Sequence, residues 1–134
     1  MRHLRALLAW ERRLPEEVAS FLAREIRARA PKVTAAFLFG SAARGEMKPD
    51  SDLDVAVICP SRNTAQVERA LEALGETTVE RFGNRVHAVI GTRPITELAQ
   101  PGRRSYRLWR AIAKEGIDLF ASLERQGEAS DASG

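Results

Sequence analysis

The stretch Phe37–Ile58, FLFGSAARGEMKPDSDLDVAVI, decides how this chain is read. It begins inside VTAAFLF (33–39), which is uncharged and nearly all apolar, as a strand covered on both faces would be. It ends inside DLDVAVIC (52–59), a second strand whose acids occur only at its start. Residues 40–50 must therefore turn the chain between two strands. A strand that runs into Gly40-Ser41 and then a turn exposes backbone N–H groups at its end. Glycine lets another group approach the backbone closely, and such a turn welcomes an anion like phosphate. Ser41 adds a hydroxyl that can donate to a phosphate oxygen. On the second strand Asp52 and Asp54 are two apart, so their side chains share a face while Leu53 points the other way. Carboxylates that close repel unless a cation lies between them. Oxygen-only ligands favour Mg²⁺ or Mn²⁺. A phosphate cradle facing a divalent-metal pair is the equipment of phosphoryl or nucleotidyl transfer.

Working outward, the pattern alternates helices and strands. Residues 3–13 read as a helix. Pro15 fits the first turn of a second, whose apolar stripe is Val18, Phe21, Leu22 and Ile26. After the second strand, Asn63 or Thr64 caps a third helix that carries Val67, Ala70, Leu71 and Leu74 and stops at Gly75. TTVERF and RVHAVI read as a third and fourth strand joined by a Gly83-Asn84 turn. Residues 92–99 form a short helix with Pro94 in its first turn. SYRLWRAIAKEG (105–116) is a helix with Leu108, Trp109 and Ile112 inward, and IDLF is a short apolar terminus. The expected fold is α+β (α/β-like): a small mixed sheet of about four strands flanked by helices. One domain is expected over residues 1–122, with N-terminal helices over 1–31 and a disordered tail over 123–134.

Composition narrows the class further. No apolar run approaches the roughly 20 residues that span a membrane. The single Cys59 closes an apolar run and reads as a small buried hydrophobe suited to a reducing cytoplasm. A net charge of +3 is a mild preference for anions and does not make nucleic acid an expected partner. The arginines of GRRSYRLWR are read as a solvated face beside core Leu108 and Trp109. GSAARGE lacks the Gly-Lys-Ser/Thr ending of a Walker-type phosphate loop.

GSAARGEMKPDSDLD resembles the signature of the DNA polymerase beta-type nucleotidyltransferase superfamily: Gly-Ser, a spacer of about ten residues, then Asp-x-Asp entering a strand. LFGSAARGE and DSDLDVAV are most similar to its minimal nucleotidyltransferases, small proteins often encoded beside HEPN-type partners. The resemblance implies a nucleotidyltransferase fold. It also implies a nucleoside triphosphate, ATP first, bound at Gly40 and Ser41, with Mg²⁺ or Mn²⁺ held by Asp52 and Asp54. The transferred group is then AMP, and the acceptor a hydroxyl of a protein or small molecule. Arg44 either donates to the triphosphate or pairs with Glu46 or Asp50.

One feature departs from that pattern. Active members carry a third acid on a later strand, beside the aspartate pair. Here the segment expected to supply it, RVHAVI, has no carboxylate, and His87 stands where the acid would be. His87 either replaces that acid as base or ligand, or is a solvent-facing residue that leaves catalysis weakened. Glu80 and Glu97 are the nearest acids in sequence. The alternative to an active enzyme is a nucleotide-binding, antitoxin-like partner of a HEPN-type protein, and the expected protein partner is either that protein or a second copy of the chain in a homo-oligomer.

Overall fold

The computed structural model describes residues 2–46, 48 and 50–125, with side chains from Glu16 onward. Its elements are helix α1 (Arg2–Arg29), strands β1 (Ala35–Phe39) and β2 (Leu53–Ile58), helix α2 (Thr64–Phe82), strand β3 (Val86–Gly91), helices α3 (Ile95–Leu98) and α4 (Tyr106–Glu115), and the two-residue strand β4 (Ile117–Asp118). They form one mixed four-stranded sheet in the order β3-β2-β1-β4. β1 is antiparallel to β2 and to β4, whereas β2 and β3 are parallel and joined through α2. The α+β sheet flanked by helices is the architecture expected from sequence.

Side-chain alternation sorts the core into two layers. Leu53, Val55 and Val57 of β2 meet α1 through Val18, Leu22 and Ile26, and α2 through Val67, Leu71 and Leu74. Ala56 and Ile58 face the other way, toward Trp109 and Ile112 of α4 with Phe37 and Phe39 beside them. Each buried aliphatic side chain contributes roughly 1.5–3 kcal/mol, so these two layers outweigh any local preference of the backbone.

That excess explains where the sequence reading fails. TTVERF is not a strand: α2 runs through Gly75 and on to Phe82. Thr and Val disfavour helix by only about 0.7 kcal/mol each. Against that, Thr78 is fully buried and donates to the Gly75 carbonyl (2.8 Å), and Phe82 packs edge-on against Phe21 with ring centroids 5.3 Å apart. Gly83 is then not a hairpin turn but the helix's left-handed cap (φ 79°), its N–H donating to the Val79 carbonyl. The fourth strand is instead β4, from the segment read as an apolar terminus. α1 is a single helix, because proline's fixed φ is itself helical and costs a long helix one hydrogen bond rather than its course. Residues 119–125 are helical, which corrects the disordered reading of 123–125. The remainder of that predicted tail, 126–134, lies outside the described residues. Pro94 flanks α3 instead of entering it.

Two glycines give opposite expectations for the same change. A methyl on helical Gly75 would stand 3.8 Å from the Val86 Cβ, an ordinary contact. Gly75→Ala is therefore expected to raise stability by about 0.5–1 kcal/mol through its backbone entropy. A methyl on Gly91 would meet Leu98 Cδ1 at 2.6 Å and the Trp109 ring at 2.9 Å, so Gly91→Ala should cost about 1–3 kcal/mol. Urea unfolding of both variants checks the two signs.

Candidate functional site

The candidate site forms where β1 ends and β2 begins. Gly40 follows β1 at φ +72°, and residues 40–46 then wind into a bonded turn. Within it Arg44 N–H donates to the Gly40 carbonyl (3.2 Å) and Glu46 N–H to the Ser41 carbonyl (2.9 Å). Ala42 is buried in the first core layer and anchors the turn. The β1–β2 register opposes Phe39 to Asp54, which brings the Asp54 side chain over Gly40. A methyl on Gly40 would lie 3.1 Å from the Asp54 carboxyl carbon and closer still to Oδ2. Glycine is needed there twice, for its positive φ and for the carboxylate above it.

On the other side of β2 the parallel register sets Asp54 beside His87, with Asp54 Oδ1 3.3 Å from His87 Nδ1. Asp54 thus stands between Gly40 and an imidazole. The His87 side chain is 64% exposed and that of Asp54 28%, so the group opens to solvent at the end of the face that α4 leaves uncovered. Asp52, exposed, directly precedes the strand. Leu53 beside it is fully buried, so pleat alternation directs the acids on both sides of it away from the first core layer. Ser41 lies at the turn, half-buried.

Arg44 is engaged, its Nε 3.1 Å from Glu46 Oε2, with both side chains largely exposed. Such a surface pair is worth at most about 1 kcal/mol, so a stronger anion can take the guanidinium from Glu46. Glu97 is held by Arg103 at 3.0 Å, and Glu80 projects from α2, the helix packed on the opposite face of the sheet from Asp54. His87 is therefore the sequence-predicted candidate that the sheet brings to Asp54. Cys59 is buried, which pushes its thiol pKa up, and it has the inert character read from sequence.

Sequence reasoning missed Asn84. Read as a turn residue, it is almost fully buried and donates from Nδ2 to the carbonyl oxygens of Ser51 (2.7 Å) and Lys48 (3.4 Å). It ties the start of β3 to the residue before Asp52. Its only sequence signal was a polar residue between a helix cap and a strand.

Among the described residues, no three His, Cys, Asp or Glu groups stand close enough to make a protein-only metal cage. Two carboxylates at an open strand end suit the mode in which Mg²⁺ keeps waters and takes one or two carboxylates plus substrate phosphates. The residues fit a metal brought in with a phosphate ligand.

A mixed sheet with a Gly-Ser turn facing an Asp-x-Asp strand defines a nucleotidyltransferase-like site. Residues 20–113 match the family model of the nucleotidyltransferase domain, and the chain belongs to that family. No curated protein matches the chain in sequence. Among solved structures, the fold is similar to a chain from a double aspartate-to-glutamate mutant of the toxin–antitoxin pair MntA–HpeT. The TM-score is 0.50 at 16% identity, covering 87% of this chain and 98% of that one. A toxin–antitoxin structure with AMP-PNP matches with a TM-score of 0.49 at 18% identity, over 84% and 96% of the two chains. No helix among the described residues is long and apolar enough to cross a membrane.

Two substitutions test how the site is held. Gly40→Ala is expected to cost about 1–3 kcal/mol in chemical denaturation, from left-handed strain and the displaced Asp54 carboxylate. Asn84→Ala should cost about 1–3 kcal/mol by removing the donor to the Ser51 carbonyl, and should raise hydrogen exchange at residues 48–52.

Proposed function

We propose that this protein binds a nucleoside triphosphate, ATP first, together with Mg²⁺ or Mn²⁺, and transfers AMP to a hydroxyl of a protein or small molecule, the hydroxyl oxygen bonding to the α-phosphorus as pyrophosphate leaves. The observation that carries this reading is the placement of Asp54 between the Gly40 turn and His87, at the open end of the sheet. The bonded turn at 40–46 gives the phosphates a close-approach backbone and the Ser41 hydroxyl. Arg44, released from Glu46, adds a charge-assisted donor. Asp52 and Asp54 are the groups that would hold the cation. When bound, it supplies charge neutralisation on the triphosphate and polarises the reacting phosphoryl group. Cytoplasmic location is part of the proposal.

His87 decides how active the enzyme is. Its ring nitrogen, beside Asp54, is the group present to take the proton from the acceptor hydroxyl. The neutral imidazole is a competent base, although it cannot add a third negative ligand. A second reading rests on that same position: with no carboxylate there, the chain is a catalytically weak, antitoxin-like partner of a HEPN-type protein. The fold shared with a chain of a toxin–antitoxin pair supports it.

Calorimetry with MnATP should give clear binding to wild type and a loss with Asp54→Ala; equal binding would remove Asp54 from the metal site. Transfer from labelled ATP should be slow in wild type. If the missing acid limits the rate, His87→Asp raises it, by up to the 10²–10⁴-fold typical of a placed general base. If His87 is the base, His87→Asp gains little and His87→Ala abolishes transfer. Robust transfer that survives His87→Ala assigns the proton to another group and defeats both readings of His87.

A further inference from the structure

β3 is one of the two outer strands of the sheet. The carbonyl of Arg85, just before β3, accepts from Leu53 N–H (2.7 Å) and that of Gly91 from Cys59 N–H (3.1 Å), both toward β2. Backbone groups alternate along a parallel ladder, so Val86, Ala88 and Ile90 direct their N–H and C=O groups to the open edge. The side chains of the same three residues line a groove of about 470 Å³ against Leu71, Glu68 and Glu72 of α2. A second hollow of about 290 Å³ shares Leu71, Glu72 and Val86 and continues the groove past Gly75, Glu76 and Val79, with Arg85 at its side.

Three features of α2 go against its own stability, and Glu68, Glu72, Glu76, Gly75 and Val79 among them line this groove. Glu68, Glu72, Glu76 and Glu80 recur every fourth residue, all exposed, a like-charge spacing that destabilises a helix. None of them forms an ion pair among the described residues. Val79, 44% exposed, is the large hydrophobic side chain left in solvent among the described residues. Gly75 is a helix-interior glycine where alanine would fit, and it keeps the groove floor low.

We infer that the α2–β3 groove receives an extended basic segment of a partner protein, added to β3 as a further strand. The exposed ladder supplies main-chain hydrogen bonds, as in other strand-addition complexes. Lysine or arginine stems lie across Leu71 and Ile90 and carry their charges to Glu68 and Glu72. An acidic or neutral segment would leave the glutamate row uncompensated, so charge selects the partner. The inference does not rest on nucleotide transfer, because the groove lies at the edge of the sheet and uses neither Asp52 nor Asp54.

The test is fluorescence anisotropy with a capped, labelled decapeptide of alternating lysine and valine, and a glutamate–valine peptide for comparison. The lysine peptide should bind saturably and the glutamate peptide should not. Glu72→Lys should weaken binding about tenfold, the equivalent of ~1.4 kcal/mol. Ala88→Pro should abolish it, because proline removes an outward N–H that an edge strand can lose without unfolding. Gly75→Ala should raise the melting temperature while lowering affinity, a split that a purely structural glycine would not give. Hydrogen exchange should show the Ala88 and Ile90 amides protected when peptide is bound. Absence of binding, or equal binding by Glu72→Lys, overturns the proposal. A self-association in sedimentation that Ala88→Pro removes would assign the edge to a second copy of this chain, and would also overturn it.

Discussion

Strand β2 is paired along both edges, to β1 and β3, and packed on both faces. Its register is the constraint on which everything else in the molecule depends. Slipping it by one residue would exchange Leu53, Val55 and Val57 for Asp54, Ala56 and Ile58 in the layer beneath α1 and α2. That would place an unpaired carboxylate among Val18, Leu22 and Leu74, at a cost of several kcal/mol, and push Val55 and Val57 into the layer beneath α4 that Ala56 and Ile58 fill. The sorting that makes a stable core is therefore the same sorting that delivers Asp54 to the open face. Stability and site geometry are here one decision of the pleat.

From that register the neighbours follow. Antiparallel pairing brings the end of β1 to the beginning of β2, so Gly40 falls beside Asp54. Parallel pairing requires the chain to cross back over the sheet, and α2, at 19 residues about 28 Å long, provides the crossing. It returns the chain to the level where β2 starts, and so His87 also falls beside Asp54. Asn84 sits at that return point and binds the approach to Asp52 from the other side. Three distant segments meet because two strands share one starting level.

The core of the site was legible because its parts are local. Gly40, Ser41, Asp52 and Asp54 lie within 15 residues, and the apolar runs around them carry no charge to confuse the period. Arg44 remained open between two partners until the folded turn paired it with Glu46. The second half of α2 was misread because Gly75 and Thr-Thr-Val are locally persuasive signals for a stop and a strand. The apolar stripe at Val67, Leu71, Leu74 and Thr78 keeps helical spacing through them, yet its last member is a threonine that no hydropathy pattern marks as core. β4, at two residues, is too short to carry any period at all.

By itself, then, the sequence determined the two central strands, the turn chemistry between them and the pair of acids at the second strand's start, since each rests on neighbours along the chain. Tertiary structure alone decided that Thr78 and Phe82 prolong a helix, that Asn84 is a buried clamp, and that His87 comes within 3.3 Å of Asp54. Each of these is a contact across 30 or more residues or a burial that outweighs local propensity by more than the few tenths of a kcal/mol that propensity contributes. Such terms are set by which surfaces meet, and that is fixed only when the sheet closes on its helices.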